Sequence, residues 1–254
     1  MIYDLQRADV WKRISAFLFD LIMMFMTAVG FVFLFSLIFN FESYSEQYND
    51  RKETFETQYG VSFDFEGEDE YNELSEAERA KVDEAFAAFS ADEEANYAFA
   101  MIFQLTILSI TFGILVAFII LEFIIPLIFK NGQTLGKKIF GIAVMRLDGV
   151  KISGPILFIR SILGKYTIET MVPTLLFIMI IFELVGVMGP VIILLILVTN
   201  IVMIIATRTN SPIHDMLANT VAVDLASQMI FETPEALLEY KQKIHAEAAE
   251  RAQY

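Results

Sequence analysis

Four long apolar runs organise the chain. The first occupies about Ser15 to Phe41 and the second about Ala98 to Phe129; the third lies within Pro155 to Phe182 and the fourth within Val185 to Ala206. About 20 consecutive apolar residues cross a bilayer as a helix, so the pattern predicts four membrane spans. The longer runs are expected to tilt or to extend into the interface. The stretch VWKRISAFLFDLIMMFMTAVGFVFLFSLIF at residues 10–39 opens on basic residues, as a signal peptide does. Its apolar run far exceeds the roughly 7–15 residues of a signal core, and no small-x-small site follows, so it reads as an uncleaved first span. The third and fourth runs are separated by ELVGVMGP, which predicts a tight antiparallel hairpin.

The polar segments carry their own patterns. SEAE at Ser75–Glu78 and SADE at Ser90–Glu93 are capping-box patterns. They predict a helix over about 76–89 and a fresh start feeding the second span. VSFDF alternates and predicts a short strand. The segment 42–97 is therefore expected to be a small helical cap, the alternative being a solvated acidic loop. After the second span, IAVMRL has strand composition, Asp148–Gly149 is a hairpin turn signal and VKIS would be the return strand. TVAVDL near the C-terminus is another strand candidate. In the tail, Thr233 suits an N-cap, Pro234 the first helical position and Glu235 the first turn.

The expected fold class is an all-α membrane protein with four transmembrane helices, an acidic extracytoplasmic insert between the first and second, and a small cytoplasmic β-element. Residues 1–41 would hold the N-terminus and first span, and 42–97 the insert. Residues 98–232 would form a core with three further spans, and 233–254 a cytoplasmic amphipathic helix.

Charge gives this organisation a direction. Residues 42–98 hold 18 Asp/Glu and 4 Lys/Arg, so the whole net charge of −14 belongs to the insert. The basic residues cluster in the N-terminus (Arg7, Lys12, Arg13), the 130–155 loop (Lys130, Lys137, Lys138, Arg146, Lys151) and the tail (Arg208, Lys241, Lys243, Arg251). The positive-inside rule places these segments and both termini in the cytoplasm and the insert outside. A multi-pass membrane protein is expected, in contact with the lipid bilayer. So acidic an insert is unsuited to nucleic acid, whose phosphates need cationic partners. The chain has no cysteine and two histidines, which excludes thiolate chemistry and disfavours a zinc site. No cofactor is implied.

These pieces, in this order, resemble the RDD family of bacterial membrane proteins. RISAFLFD supplies Arg13 and Asp20; GQTLGKKIFGIAVMRLDG is similar to the family's Gly-Gln-Thr-Leu-Gly-Lys loop and following strand; HDMLANTVAV is similar to its His-Asp segment and supplies Asp215. The resemblance spans nearly the whole chain outside the insert. Asn219 stands where the family usually has Gly, and Asn tolerates a left-handed backbone. The resemblance implies the membrane architecture. It also implies, through a member associated with sodium/proton antiport, exchange of Na⁺ or another monovalent cation for protons.

The ionisable residues inside the spans are where such chemistry would sit. Arg13 and Asp20 are seven residues apart, on one helix face but roughly 10 Å apart along the axis, too far to pair simply. Glu122 lies eight residues before Lys130 and Asn200 eight before Arg208, each roughly 12 Å in from the same side. Asp20, Glu122 and Asn200 are thus expected to share one polar layer and form a candidate ion or proton site. Arg160, Lys165 and Glu169 on the third span are possible charge partners, Lys165 and Glu169 pairing at i,i+4. Asp20 has two readings: a titrating site, or an interhelical lock with Arg13 or Arg160. GQTLG lacks the Walker spacing and His214–Asp215 has no nucleophile placed with it, so neither suggests an enzyme. Asp215 is expected to meet Lys137 or Lys138.

Two function classes follow. One is a small secondary transporter exchanging a monovalent cation for protons, which four spans would complete by homo-oligomerisation or with a partner membrane protein. The other is a non-transporting adaptor that binds a partner protein through the insert or the C-terminal helix. The topology is checked directly in this Cys-free chain. A cysteine introduced at Gly149 should resist an impermeant thiol reagent in intact cells, whereas one within 42–98 should react; external labelling at 149 would invert the topology.

Overall fold

The computed structural model describes residues 5–65 and 68–251. Residues 1–4, 66–67 and 252–254, which the expected N-terminal segment, insert and tail include, lie outside the described residues. The described residues are mostly helical and include four helices long and apolar enough to cross a membrane. These are α1 (Val10–Ile38), α5 (Glu93–Phe129), α7 (Gly154–Ile181) and α8 (Met188–Ala206). The other helices are α2 (Phe41–Tyr59), α3 (Glu68–Glu73), α4 (Glu76–Ser90), α6 (Leu135–Ile139), α9 (Ile213–Leu217) and α10 (Pro234–Arg251). Two strands, β1 (Ile142–Arg146) and β2 (Thr220–Asp224), form one antiparallel sheet. The first span starts five residues before the expected Ser15, because Asp9 accepts from the N–H groups of Trp11 and Lys12 and caps the helix there.

The chain divides into two compact units, residues 29–113 and the remainder, the boundaries falling within α1 and α5. In the 29–113 unit, α1 and α2 are separated by Asn40 in the left-handed region (φ 54°), and α2 ends on Gly60 (φ 64°). Ser75 and Glu78 complete the capping box that starts α4. Phe89 is the centre of this unit's core, with the rings of Tyr48, Phe55 and Phe63 at 5.5, 5.7 and 5.6 Å. Two expectations fail here. VSFDF is not a strand, since Phe63 packs on Phe86 and Phe89 and Phe65 on Tyr71 instead of entering a ladder. The start of α5 is capped by Asp92, which accepts from Ala95 N–H at 2.8 Å, because Ser90 is the last residue of α4. Arg51 also pairs with Asp92.

The larger unit is built around the sheet. β1 pairs with β2 in the register Ile142↔Asp224 to Arg146↔Thr220, and the first four residues of each strand are buried. VKIS does not return as a full second strand. It contributes only the isolated bridges Met145↔Lys151 and Val150↔Phe231, because on the edge of β1 opposite β2 the Val144 N–H is taken by Asn131 O at 3.0 Å and the Lys151 N–H turns to Phe231 O at 2.8 Å. Gly149 sits at φ 90° in the intervening turn and donates to Arg146 O at 3.0 Å. Asn219 sits at φ 51°, in the left-handed conformation that its place in the motif requires. Helices α7 and α8 pack on each other across a short turn with positive φ at Glu183 and Gly186. The tail helix α10 starts on Thr233, which accepts from Ala236 N–H at 3.2 Å, and buries Leu237 against Phe231 and Val150.

The turn at Gly149 generates a stability test. A side chain at φ 90° is strained by roughly 1–2 kcal/mol, and a β-branched one by more. Gly149→Val should therefore lower the melting temperature of the purified protein; an unchanged melt would remove this turn from the determinants of the sheet.

Candidate functional site

Asp20, in the N-terminal half of α1, is 8% exposed. Its Oδ1 accepts from Gly136 N–H at 2.7 Å and its Oδ2 from the Thr134 hydroxyl, while Lys137 Nζ lies 4.0 Å from Oδ2. Thr134 is also the N-cap of α6, accepting from Lys137 N–H at 3.3 Å. The carboxylate thus sits at the start of a helix, where free N–H groups favour an anion. The approach is close because residue 136 has no side chain. A Cβ there would overlap the Ala16 carbonyl oxygen and lie 3.0 Å from Asp20 Oδ1.

The other carboxylates take partners of their own. Glu122 is 1% exposed and pairs with Lys165 through Oε1. Its Oε2 is buried and accepts no hydrogen bond among the described residues. Asp215 accepts from Arg160 Nε at 2.7 Å and from the Thr220 hydroxyl at 2.7 Å. Burial alone would raise the Asp215 carboxyl; the Arg160 guanidinium and the Thr220 hydroxyl outweigh it and hold the group well below the usual carboxylate range. Glu169 accepts from His214 N–H at 2.9 Å and from Nδ1 at 2.8 Å. His214 Nε2 lies 3.2 Å from Arg160 Nη2, so the imidazole bridges Glu169 and Arg160. Asn200 Oδ1 accepts from Ile213 N–H at 3.2 Å, near the start of α9.

The expected residues therefore converge on one region without touching one another in the expected pairs. Asp20, Lys137, Lys165, Glu169, Asn200 and His214 line a cavity of about 400 Å³. Asp20 meets the Thr134–Lys137 turn, not Arg13 or Arg160. Arg13 donates to Asn210 O at 2.9 Å. Asp215 meets Arg160, not Lys137 or Lys138; Lys138 lies over the Phe129 ring at 3.6 Å. Lys165 and Glu169 do not pair. Both lie in a π-helical segment, Ile159–Met171, and Glu122 lies in another, Ile119–Ile124. Their i→i+5 bonds widen the turn, so residues four apart no longer stack on one face. Lys165 turns to Glu122 and Glu169 to His214.

Lys137 is a group whose role in the site was not legible. Burial pushes its ammonium down to about 8, with Glu122 and Asp20 opposing and Arg160 and Lys165 adding to the depression. The available signal was Thr134 three residues before Lys137, an N-cap pattern that fixes a short helix in the loop. Gly164 was also missed: a Cβ there would lie 2.7 Å from His214 Cβ, so the glycine permits the packing of α9 on α7.

A model of the RDD family matches residues 7–219. No curated protein and no solved structure matches the chain.

The Asp20 contact is tested through glycine. Gly136→Ala should lower the melting temperature, because the added methyl has nowhere to go but into α1. Gly30→Ala, where no atom lies within 4 Å of the new methyl, should be neutral or stabilising, alanine being the better helix former by about 1 kcal/mol. Equal melts for the two variants would contradict the close packing at Gly136.

Proposed function

The chain belongs to the RDD family, and we propose that it is a small secondary transporter exchanging Na⁺ or another monovalent cation for protons at Glu122. The observation that supports this most is the lone Glu122 Oε2, buried in a membrane span with no partner among the described residues. Such an oxygen is costly to leave unfilled. A proton or a monovalent cation fills it with the same charge, and the two exclude each other. That exclusion couples release of one to uptake of the other. Lys165 holds Oε1 and fixes the carboxylate, and Lys165, not Glu122, lines the neighbouring cavity. Asp20 has both oxygens engaged and acts in this reading as the lock, not the exchanging group.

The proposed orientation follows the basic residues: both termini and the sheet lie on the cytoplasmic side of a bacterial plasma membrane, and the acidic insert lies outside. Four spans make a short path, so the working unit is a homo-oligomer or a complex with a partner membrane protein. The adaptor reading draws support from the aromatic core of the 29–113 unit, which marks it as a folded module.

Proteoliposomes with an imposed ΔpH test the proposal. Wild-type protein should move Na⁺, Li⁺ or K⁺. Glu122→Gln should lose at least tenfold in flux per folded protein and melt earlier, since Lys165 loses its carboxylate. Asp20→Asn should also melt early but keep its flux per folded protein. Wild-type protein that moves none of these cations would leave the adaptor reading; wild-type-like flux in Glu122→Gln would remove Glu122 as the site.

A further inference from the structure

The mouth of the cavity holds a feature that ion exchange leaves unused. Val10, Arg13, Ile14 and Phe17 stand at i, i+3, i+4 and i+7, one stripe of α1, and all four line the cavity. The three apolar members are 57%, 42% and 54% exposed, so the stripe is uncovered. Ile204, near the end of α8, lines the same opening.

Two arginines, Arg7 and Arg13, donate to the turn that follows α8, and a third, Arg208, lies within that turn. Arg7 Nη1 donates to Arg208 O at 3.1 Å and to Asn210 Oδ1 at 2.5 Å, and Arg13 Nη2 donates to Asn210 O at 2.9 Å. The other cations of this region have carboxylates: Lys12 has Asp224, Arg160 has Asp215 and Lys165 has Glu122. Arg7, Arg13 and Arg208 have none within ion-pair distance among the described residues. Each keeps N–H donors free, since a guanidinium carries five.

Their depth identifies the missing anion. Arg7 precedes α1 by three residues, Arg208 follows α8 by two, and Arg13 lies one turn inside α1. All three sit at the level of the span ends, where headgroups lie. Trp11, 76% exposed, stands at the same level, as interfacial tryptophans do. From these arginines the apolar stripe runs inward for roughly 10 Å along α1. A dissolved anion would use the arginines and leave the stripe bare; an amphiphile uses both.

We propose that Arg7, Arg13 and Arg208 hold the phosphate of one anionic phospholipid, whose acyl chain lies along Val10, Ile14 and Phe17. Arginine suits this task through its planar donors. A zwitterionic headgroup brings its own cation next to three guanidiniums and is disfavoured. The inference stands whether or not the protein moves ions.

The test uses the purified full-length protein in detergent, titrated with phosphatidylglycerol, with phosphatidylcholine of the same chains, or with inorganic phosphate, and read by thermal melt and native mass spectrometry. Phosphatidylglycerol should raise the melting temperature and leave one retained lipid, while phosphatidylcholine and inorganic phosphate should do neither. The double variant Arg7→Gln, Arg208→Gln, altered at exposed positions and so expected to fold, should lose at least tenfold in apparent affinity for phosphatidylglycerol. Equal response to the two lipids, an equal shift with inorganic phosphate, or an undiminished preference in the double variant would each overturn the proposal.

Discussion

A carboxylate inside the first span, held by the first turn of a five-residue helix, ties α1 to the rest of its unit. Helix α6 is far too short to persist alone. It is fixed from two sides: Thr134 caps it, and Asp20 takes the N–H of Gly136 and the Thr134 hydroxyl. The residue before the cap, Gln133, donates to Ile142 O at 2.7 Å at the head of β1. The same short loop therefore anchors a membrane helix and sets the start of the sheet. β1 then pairs with β2, and β2 follows directly on α9, which carries Asp215. Through this chain of contacts one buried charge in α1 is connected to the charged pairs of α5 and α7.

Those pairs are expensive to bury, and their completeness decides what each does. A buried ion pair offsets its desolvation only when the remaining lone pairs and protons are also matched. Asp215 comes close to that condition, with Arg160 and the Thr220 hydroxyl both donating to Oδ1. Asp20 meets it. Glu122 does not, because Lys165 satisfies one oxygen and the other faces nothing among the described residues. The π-helical segments create this inequality. A regular helix through Ile159–Met171 would have let Lys165 and Glu169 satisfy each other along one face. The wider turn separates them, giving Glu169 to His214 and Lys165 to Glu122.

The spans, the strand segments, the turn at Gly149 and the start of α10 were legible because each depends on residues within a few positions of one another. Hydropathy, a turn dipeptide and an N-cap are local quantities. Two failures, the caps at Asp9 and Asp92, are shifts of a few residues; the others are tertiary. VKIS has strand composition, but which strand pairs with β1 is settled by β2, seventy residues away, and by its bridge to Phe231. VSFDF alternates, yet Phe63 gains more from the Phe89 cluster than a lone strand without a partner could supply. The candidate residues were largely recognised as a set, since charged groups inside apolar runs stand out. Their pairings were not, because the argument assumed 100° per residue where the backbone departs from it.

Asp20 and Glu122 show how far composition alone can go. Both are carboxylates within membrane helices, and nothing in their immediate sequence assigns them different tasks. The difference comes from what the fold places opposite each. Asp20 faces a helix start that presents a backbone N–H and a hydroxyl, two fixed donors that engage both of its oxygens. Glu122 faces Lys165 on one oxygen and no partner among the described residues on the other, in a π-helical segment. Fixed donors on both oxygens make an anchor, whereas a carboxylate matched on one side keeps an oxygen unmatched, and it is on that oxygen that the exchange proposal rests. Two acids of the same chemistry are thereby given different surroundings by what the fold places opposite each.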